Sequence, residues 1–346
     1  MKYVIDPFLF AYSDKMSASE LDDYVDYITT FDDWWSEHKD DVYVLSSMGD
    51  MMYEKDLYPL VERLAPLLES LDSDYEYRDI SRMLNHYIDH TNFIDEASSN
   101  AFIGCEKTKF NKPVSSSLSH KDTNMKDALF AVLWQVFCSQ LLIKDDAESY
   151  VVFTKDIDET LDIHYDYEYV DESVDPDDFQ HAGGDIKINC HSSLSSFLND
   201  GKTPVLLWRF STCKKDLDLG LRCYVMQFDN LSCVDEVNER YSFVLQDSFY
   251  EDFCDNNYAN RPKDITSALD SMTKAVKNIH HGKPHNMRTG PGANDPYLYH
   301  GKNPDKYSGM RKNVTTSIKL HYWKRDPYYR FAKIGEHDHF DLPWGD

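Results

Sequence analysis

Basic charge is scarce along most of this chain. Its 346 residues hold 36 Lys and Arg against 61 Asp and Glu, a formal charge of −25. A surface of that sign repels nucleic acid and anionic membrane unless a local basic patch intervenes. Paired cysteines are missing as well. The seven cysteines are odd in number, scattered, and contain no C-x-x-C, so reduced thiols in a cytoplasmic protein are expected. No apolar run is expected to span a bilayer, no membrane partner is expected, and the start MKYVIDPFLF lacks a signal-peptide layout. No Walker or dinucleotide fingerprint surrounds Gly290, Pro291 and Gly292, and there is no G-x-S-x-G or H-E-x-x-H. These absences argue against an ATPase, a serine hydrolase and a zinc protease of the common kinds. Repeats and heptads are lacking too.

The charge that is present is unevenly placed. From Arg261 onward there are 15 Lys and Arg against 9 Asp and Glu, a net of +6, with 7 of the 14 histidines. The first 260 residues therefore hold 21 basic and 52 acidic side chains, a net of −31. A small basic module follows a strongly acidic body.

The apolar pattern predicts an α/β fold. Tyr3-Val4-Ile5 begins a central strand that Asp6-Pro7 interrupts. Ser17 and Glu20 form a capping box ahead of a helix whose inner face is Leu21, Tyr24, Val25 and Ile28. Residues 42–45 make a second strand, helices are expected over 57–71 and 78–94, and 104–123 reads as a loop. Residues 124–141 show helical spacing at Leu129, Val132, Leu133, Val136 and Phe137, and 150–153 is a buried strand. Strands alternating with helices imply a parallel sheet with crossover helices. Residues 165–178 read as an acidic connector. Runs at 185–190, 204–210, 221–228 and 241–246 suggest an α+β region rich in antiparallel strands. A helix over 265–279 and a hairpin of 317–323 with 329–334 complete the small basic C-terminal module. The expected division is 1–160, 180–255 and 261–346.

Acids close these strands and open these helices. Asp6 ends the first strand; Asp50, Glu54 and Asp56 follow the second; Asp127 opens a helix; Asp156 and Asp158 end the next strand. In a parallel sheet those positions share the carboxyl edge, where such folds keep their sites. Carboxylates gathered there repel one another unless a divalent cation lies between them, and hard oxygen donors suit Mg²⁺ or Mn²⁺. The bland alternative is solvated surface, the usual fate of acids in so acidic a region.

These segments resemble a PIN-like nuclease domain over the first 160 residues. The resemblance rests on an aspartate in the first strand (YVIDPFLF), an acid near a second helical hairpin, an aspartate opening a later helix (KDALFAVLW) and Thr-x-Asp closing the next strand (VVFTKD). It implies Mg²⁺ or Mn²⁺ held by Asp6, Glu54, Asp127 and Asp156, with Asp158 as substitute or fifth acid, and phosphodiester cleavage, with Asp6, Asp127 and Asp156 as the catalytic set. The sequence departs from the pattern at Pro7 and in the separation of Glu54 from Asp127. Glu62 is the alternative to Glu54.

The C-terminal module interleaves cations with rings. His285, Arg288, Lys302, Arg311, His321, Arg330 and His337 lie among Tyr297, Tyr299, Tyr307, Trp323, Tyr328 and Tyr329. Cations for phosphates and rings for unstacked bases are what a single strand needs, so RNA is favoured over DNA as partner. The same His and Arg set would suit metal-independent RNA cleavage, and the segments KPHNMRTG and YRFAKIGEHDHF are similar to messenger-RNA interferase toxins. His337 and His339 with Glu336 and Asp338 form a further histidine-rich stretch. The leading expectation is a metal-dependent nuclease, with RNA as the favoured substrate, of toxin or prokaryotic defence-effector type; the alternative is an acidic, non-enzymatic adaptor that binds a protein partner.

Overall fold

The computed structural model describes residues 1–71, 73–98, 103–111, 123–144, 146–170, 179–279, 284–302, 304–335 and 342–344. The chain divides into two compact units, Met1–Phe197 and Leu198–Asp346. It is a mixed α/β protein, with a mostly parallel sheet in the first unit and a mostly antiparallel one in the second.

The first unit runs β1 (Lys2–Ile5), a 3₁₀ turn (Pro7–Phe10), α1 (Ala18–His38), β2 (Val42–Val44), α2 (Met48–Glu54), α3 (Val61–Ser70), α4 (Tyr77–His90), β3 (Asn92–Phe93), β4 (Ile103–Phe110), α5 (Thr123–Ile143), β5 (Tyr150–Phe153), β6 (Glu159–Val170) and β7 (Phe179–His191). A short helix, α6 (Leu194–Asn199), spans the boundary between the units. The strand order is β3-β2-β1-β5-β7-β6-β4. The first five are mutually parallel, and β6 and β4 extend the sheet antiparallel.

β1 and β5 are apolar on both sides because both faces of this sheet are covered. Val4 and Val152 meet Leu129, Val132, Leu133 and Val136 of α5. On the other face Tyr3 and Phe153 enter an aromatic cluster: Tyr3 lies edge-on to Trp34 with centroids 4.5 Å apart, and Phe31 to Phe153 at 5.1 Å. Each such side chain taken fully from water contributes about 1.5–3 kcal/mol. The expected capping box at α1 is present, with Glu20 N donating to Ser17 Oγ and Ser17 N to Glu20 Oε2.

Three expectations give way here. Residues 103–110, expected as loop, form β4, an edge strand, while 112–122 lie outside the described residues. The acidic stretch from 165 is not a connector at first: 165–170 continue β6, because Leu161, Ile163 and Tyr165 are buried toward α5 while charged residues alternate on the other face. Within α5, Met125–Ile143 is long and apolar enough to cross a membrane by length and composition. Its Leu129, Leu133 and Phe137 are buried against the sheet, as in a core helix.

The second unit runs α7 (Thr203–Arg209), α8 (Lys214–Asp229), α9 (Val234–Arg240), β8 (Ser242–Leu245), α10 (Asp247–Asp255), α11 (Pro262–Val276), β9 (His285–Asn286), β10 (Tyr299–His300), β11 (Tyr307–Asn313), β12 (Lys319–Arg325) and β13 (Tyr328–Gly335). The strand order is β10-β11-β12-β13-β8, with β9 also on β11; β8 joins β13 in parallel. The helix at α11 and the β12–β13 hairpin lie where the sequence predicts them. Residues 204–210 and 221–228, expected as strands, are instead helical. Leu217, Leu221 and Val225 recur every fourth residue and pack with Leu269, Met272, Leu320 and Phe331. The second unit thus joins a helical layer to the predicted hairpin, and the two units meet at 197/198 rather than dividing into three near 160 and 260.

Lys312 of β11 points into the layer between sheet and helices. Its ammonium donates to Ser271 O at 3.1 Å, near the Asp270–Lys274 ion pair. Burial, opposed by Asp270 and reinforced by Lys274, lowers its pKa from the ordinary 10.5 to about 8. Between those two pH values the unfolded chain binds the proton and the folded one does not, so folding stability rises with pH. The wild-type urea midpoint is therefore expected to climb relative to that of Lys312→Met from pH 8 to 10.5; a constant difference between the two would contradict this.

Candidate functional site at the carboxyl edge of the parallel sheet

β1 and β5 are neighbours, and both end at the same edge. Asp6 follows β1 directly, with only 1% of its surface exposed. Its backbone N–H bonds Phe153 O at 2.9 Å, which carries the ladder one step past the strand. Its side chain caps the 3₁₀ turn by accepting from Phe8 N at 3.2 Å, and it accepts from Thr154 Oγ1 at 2.5 Å. Proline at the first position of that turn suits the geometry, since its missing N–H has no partner to lose there. Pro7 thus shapes the turn that Asp6 caps.

Around this seam three other elements converge. Phe8 and Ala11 pack with Ala128, Met125 and Met51, which brings the start of α5 and the body of α2 against the turn. The helix starts earlier than the sequence suggests, so Asp127 does not open α5 but lies past its first turn, exposed; Glu54 is the last residue of α2, also exposed. Tyr12 N bonds Leu57 O at 2.9 Å, so the chain just after Glu54 returns to the same edge. Glu62, the alternative, lies in the first turn of α3.

Asp156 stands two residues beyond Thr154 with φ 64°, in the left-handed region. Asp tolerates that backbone better than most residues, and such outliers gather at functional sites. It lines a pocket of about 450 Å³ with Lys15, Glu20, Asp23, Tyr27, Lys155 and Ser192. Asp127 and Glu54 do not line this pocket. Asp158 is committed elsewhere: it accepts from Ser192 N at 2.8 Å and Ser192 Oγ at 2.6 Å. Partial burial raises its pKa, but the bonds from Ser192 and Ser196, with His191 nearby, outweigh it and hold the group below the usual carboxylate range. It ties the start of β6 to the end of β7 and is a poor spare ligand.

The donor chemistry of Asp6, Asp127, Asp156 and Glu54 fits a hard cation such as Mg²⁺ or Mn²⁺. Their ligand atoms are not gathered in advance. Among the described residues, one trio of His, Cys, Asp or Glu has its ligand atoms all within 4.8 Å, namely Glu106, Glu168 and His181. That trio lies on β4, β6 and β7, and nothing in the sequence pattern points to it, because only the pairing register joins three such distant positions.

In the second unit the predicted cations other than Lys302 and His337 fall, with further cations beside them, into two groups. His285, Arg311, His321 and Lys333 form one cross-strand row over β9, β11, β12 and β13. His285 is exposed, but His321 is fully buried, so it supports this face rather than contacting a ligand on it. The other group is stacked on rings: Arg288 over Tyr297 at 4.6 Å, Lys306 over Tyr299 at 3.5 Å, Arg325 between Tyr307 at 4.9 Å and Tyr328 at 4.7 Å, and Arg330 over Trp344 at 4.5 Å. His300 stacks on Trp344 at 3.7 Å. Tyr297, Tyr299 and Tyr328 remain over 40% exposed. Lys302 is exposed in the turn after β10, where Gly301 has φ 79° and an added Cβ would fall 2.7 Å from Asp305 O. His337 and the stretch from Glu336 to His339 lie outside the described residues, as do His280, His281 and Lys283.

Comparisons with protein-family models, with curated proteins and with solved structures each find no match to this chain.

The Asp6–Thr154 bond lends itself to a direct check. Thr154→Val keeps the shape and removes a buried donor from a buried carboxylate. A loss of about 1–3 kcal/mol in unfolding free energy is expected from urea denaturation; an unchanged midpoint would mean the bond does not hold the seam.

Proposed function

We propose that the protein is a metal-dependent nuclease, acting on RNA in preference to DNA. The chemistry belongs to the carboxyl edge of the parallel sheet, and the second unit binds the strand. The observation that carries this reading is the seam between β1 and β5. A buried Asp6 is fixed by Thr154 and Phe8 N, the N-terminal part of α5 that carries Asp127 packs through Met125 and Ala128 on Phe8 and Ala11 of the segment that Asp6 caps, and Asp156 is held in a left-handed conformation on a pocket wall.

In this reading Asp6, Asp127 and Asp156 hold the ion, with the exposed Glu54 as the fourth acid of the set. When bound, a Mg²⁺ or Mn²⁺ ion supplies activation of water and stabilisation of the leaving oxygen. The residues of the chain do the rest. Thr154 fixes which Asp6 oxygen is engaged, and Lys15 and Lys155 on the pocket wall offer cations to phosphate oxygens beside Asp156. Asp158 keeps the strand end in place. A substrate would otherwise be repelled by the net −31 of the first 260 residues, so the exposed tyrosines and stacked cations of the second unit supply affinity. An effector of toxin or defence type is the biological role that suits such an enzyme.

Labelled single-stranded RNA and DNA incubated with the protein and Mn²⁺ should be cut, RNA faster, and EDTA should stop the reaction. Asp6→Asn with Asp127→Asn should lower the rate at least about a hundredfold, the scale of removing a group that stabilises transition-state charge. Full cleavage by that double variant would overturn the assignment.

A second reading has its own observation, the exposed His285 paired in register with Arg311, with the buried His321 only supporting them. It assigns RNA cleavage to the second unit without a metal. Cleavage that persists in EDTA and falls in Arg311→Ala would favour it. Under the leading reading the same Arg311→Ala variant should instead weaken RNA binding and flatten its salt dependence by about one phosphate contact, measured by fluorescence anisotropy across a salt series. If neither nuclease activity nor RNA binding is found, the acidic adaptor reading stands in their place.

A further inference from the structure

The antiparallel extension of the first sheet carries a histidine–carboxylate cluster that the nuclease reading does not use. We propose that Glu106, Glu168 and His181 form a binding site for a borderline divalent transition ion of the zinc type, which clips the edge strand β4 to the β6–β7 hairpin.

Register brings the three together. Glu168 of β6 pairs with His181 of β7 on one side and with Gly104 of β4 on the other. Side chains alternate along a strand, so Glu168 and His181 share the face turned away from α5, together with Asp162, His164 and Asp166. A break in register between Cys105 and Lys107 changes the phase of β4, so two successive residues, Glu106 and Lys107, stand against a single step of β6. Such bulges re-aim a side chain. Here the bulge keeps Glu106 beside His181, with Glu106 Oε1 3.0 Å from His181 Nδ1, while Phe110 still packs toward α5 on Phe130. Gly104 completes the arrangement. A Cβ there would lie 3.0 Å from Glu168 Oε1 and 3.2 Å from its Cγ, so the absence of a side chain is what lets this carboxylate lie across β4.

The spacing suits one ion. Donors about 2.1 Å from a tetrahedral zinc stand roughly 3.4 Å apart. The present ligand atoms lie within 4.8 Å of one another, so sub-ångström shifts of half-exposed and exposed side chains close the site. One imidazole and two carboxylates supply three donors, and a water would complete the tetrahedron. Two carboxylates so close also repel, and His181, 3.0 Å from Glu106, offsets this only when protonated. The neighbouring His164 is not available as a further ligand, since Nδ1 is bonded to Asp185 at 3.0 Å and Nε2 to Asp166 at 3.2 Å. That pair of bonds instead stiffens the same face next to the site.

The position separates this ion from the proposed chemistry. His181 lies ten residues along β7 from His191, about 33 Å at the rise of a strand. The ion would therefore hold strands together and would not touch a substrate at the carboxyl edge. Its test is independent of whether the protein cuts RNA.

The full chain, stripped with EDTA and dialysed, would be titrated with zinc chloride by calorimetry, and its unfolding temperature recorded with and without zinc. One ion per chain with micromolar affinity is expected, with a rise in unfolding temperature. His181→Ala and Glu168→Ala should each weaken binding at least about tenfold and abolish the rise, whereas His86→Ala, on the far helix α4, should change neither. Absence of saturable binding at micromolar zinc, binding that survives both site variants, or binding lost in His86→Ala would overturn the proposal.

Discussion

The first unit depends on the pairing of β1 with β5. Neither strand is long, at four residues each, and neither has a polar face to present to water. They are stable only as the buried middle of a sheet with α5 on one side and the aromatic cluster of α1 on the other. Thr154 and Asp6 extend that pairing beyond the last strand residues with a side-chain bond. The energetic logic is that a buried carboxylate is costly unless its oxygens are engaged, and here both oxygens are engaged, by a backbone N–H and by a hydroxyl. The same bonds that make Asp6 tolerable in the core fix its direction at the sheet edge. Packing and site geometry are therefore one constraint in this region.

Much of that was legible in the sequence because it rests on local signals. Four apolar residues ending in Asp-Pro or Thr-Lys-Asp mark strand ends whatever the rest of the fold does. Ser17 with Glu20 marks a helix start, and the spacing of Leu129, Leu133 and Phe137 marks a buried helix face. Misreadings came where local pattern is ambiguous or composition misleads. Residues 204–210 and 221–228 are short apolar runs, and a run of that length suits a strand or one side of a helix equally; only the recurrence at Leu217, Leu221 and Val225 separates the two. In β6 the alternation of Leu161, Ile163, Tyr165 and Tyr167 was plain to a period of two, but the acids between them suggested a solvated connector. The Glu106, Glu168 and His181 cluster is a different case. It exists through strand register and a bulge, neither of which any local pattern encodes.

The two units answer the charge problem differently. In the first, acids are exposed on strand ends, helix starts and the outer face of β6, where solvent and a few lysines offset them. Lys109 with Asp166 and Asn111 with Asp162 and Asp185 are such local accommodations. In the second, several cations are laid over aromatic rings, and Arg325 among them also pairs with Asp305. Cations ordered in this way lie among the exposed Tyr297, Tyr299 and Tyr328.

The parallel strand β8 carries a consequence for how the second unit is made. Its ladder partner is β13, with Ser242 opposite Tyr328 and Leu245 opposite Phe331. More than eighty residues separate the paired positions, and they hold α10, α11 and four other strands. A contact of that sequence separation forms late, because the intervening chain must be closed into a loop first. During synthesis the helices α7 to α11 emerge and collapse well before their sheet exists, with Phe243 and Leu245 waiting for strands not yet translated. The last hairpin is the piece that completes the layer. Shortening the chain from its C-terminal side by one strand would remove Tyr329, Phe331 and Ile334 from the core the helices share with the sheet and leave β8 without its ladder partner.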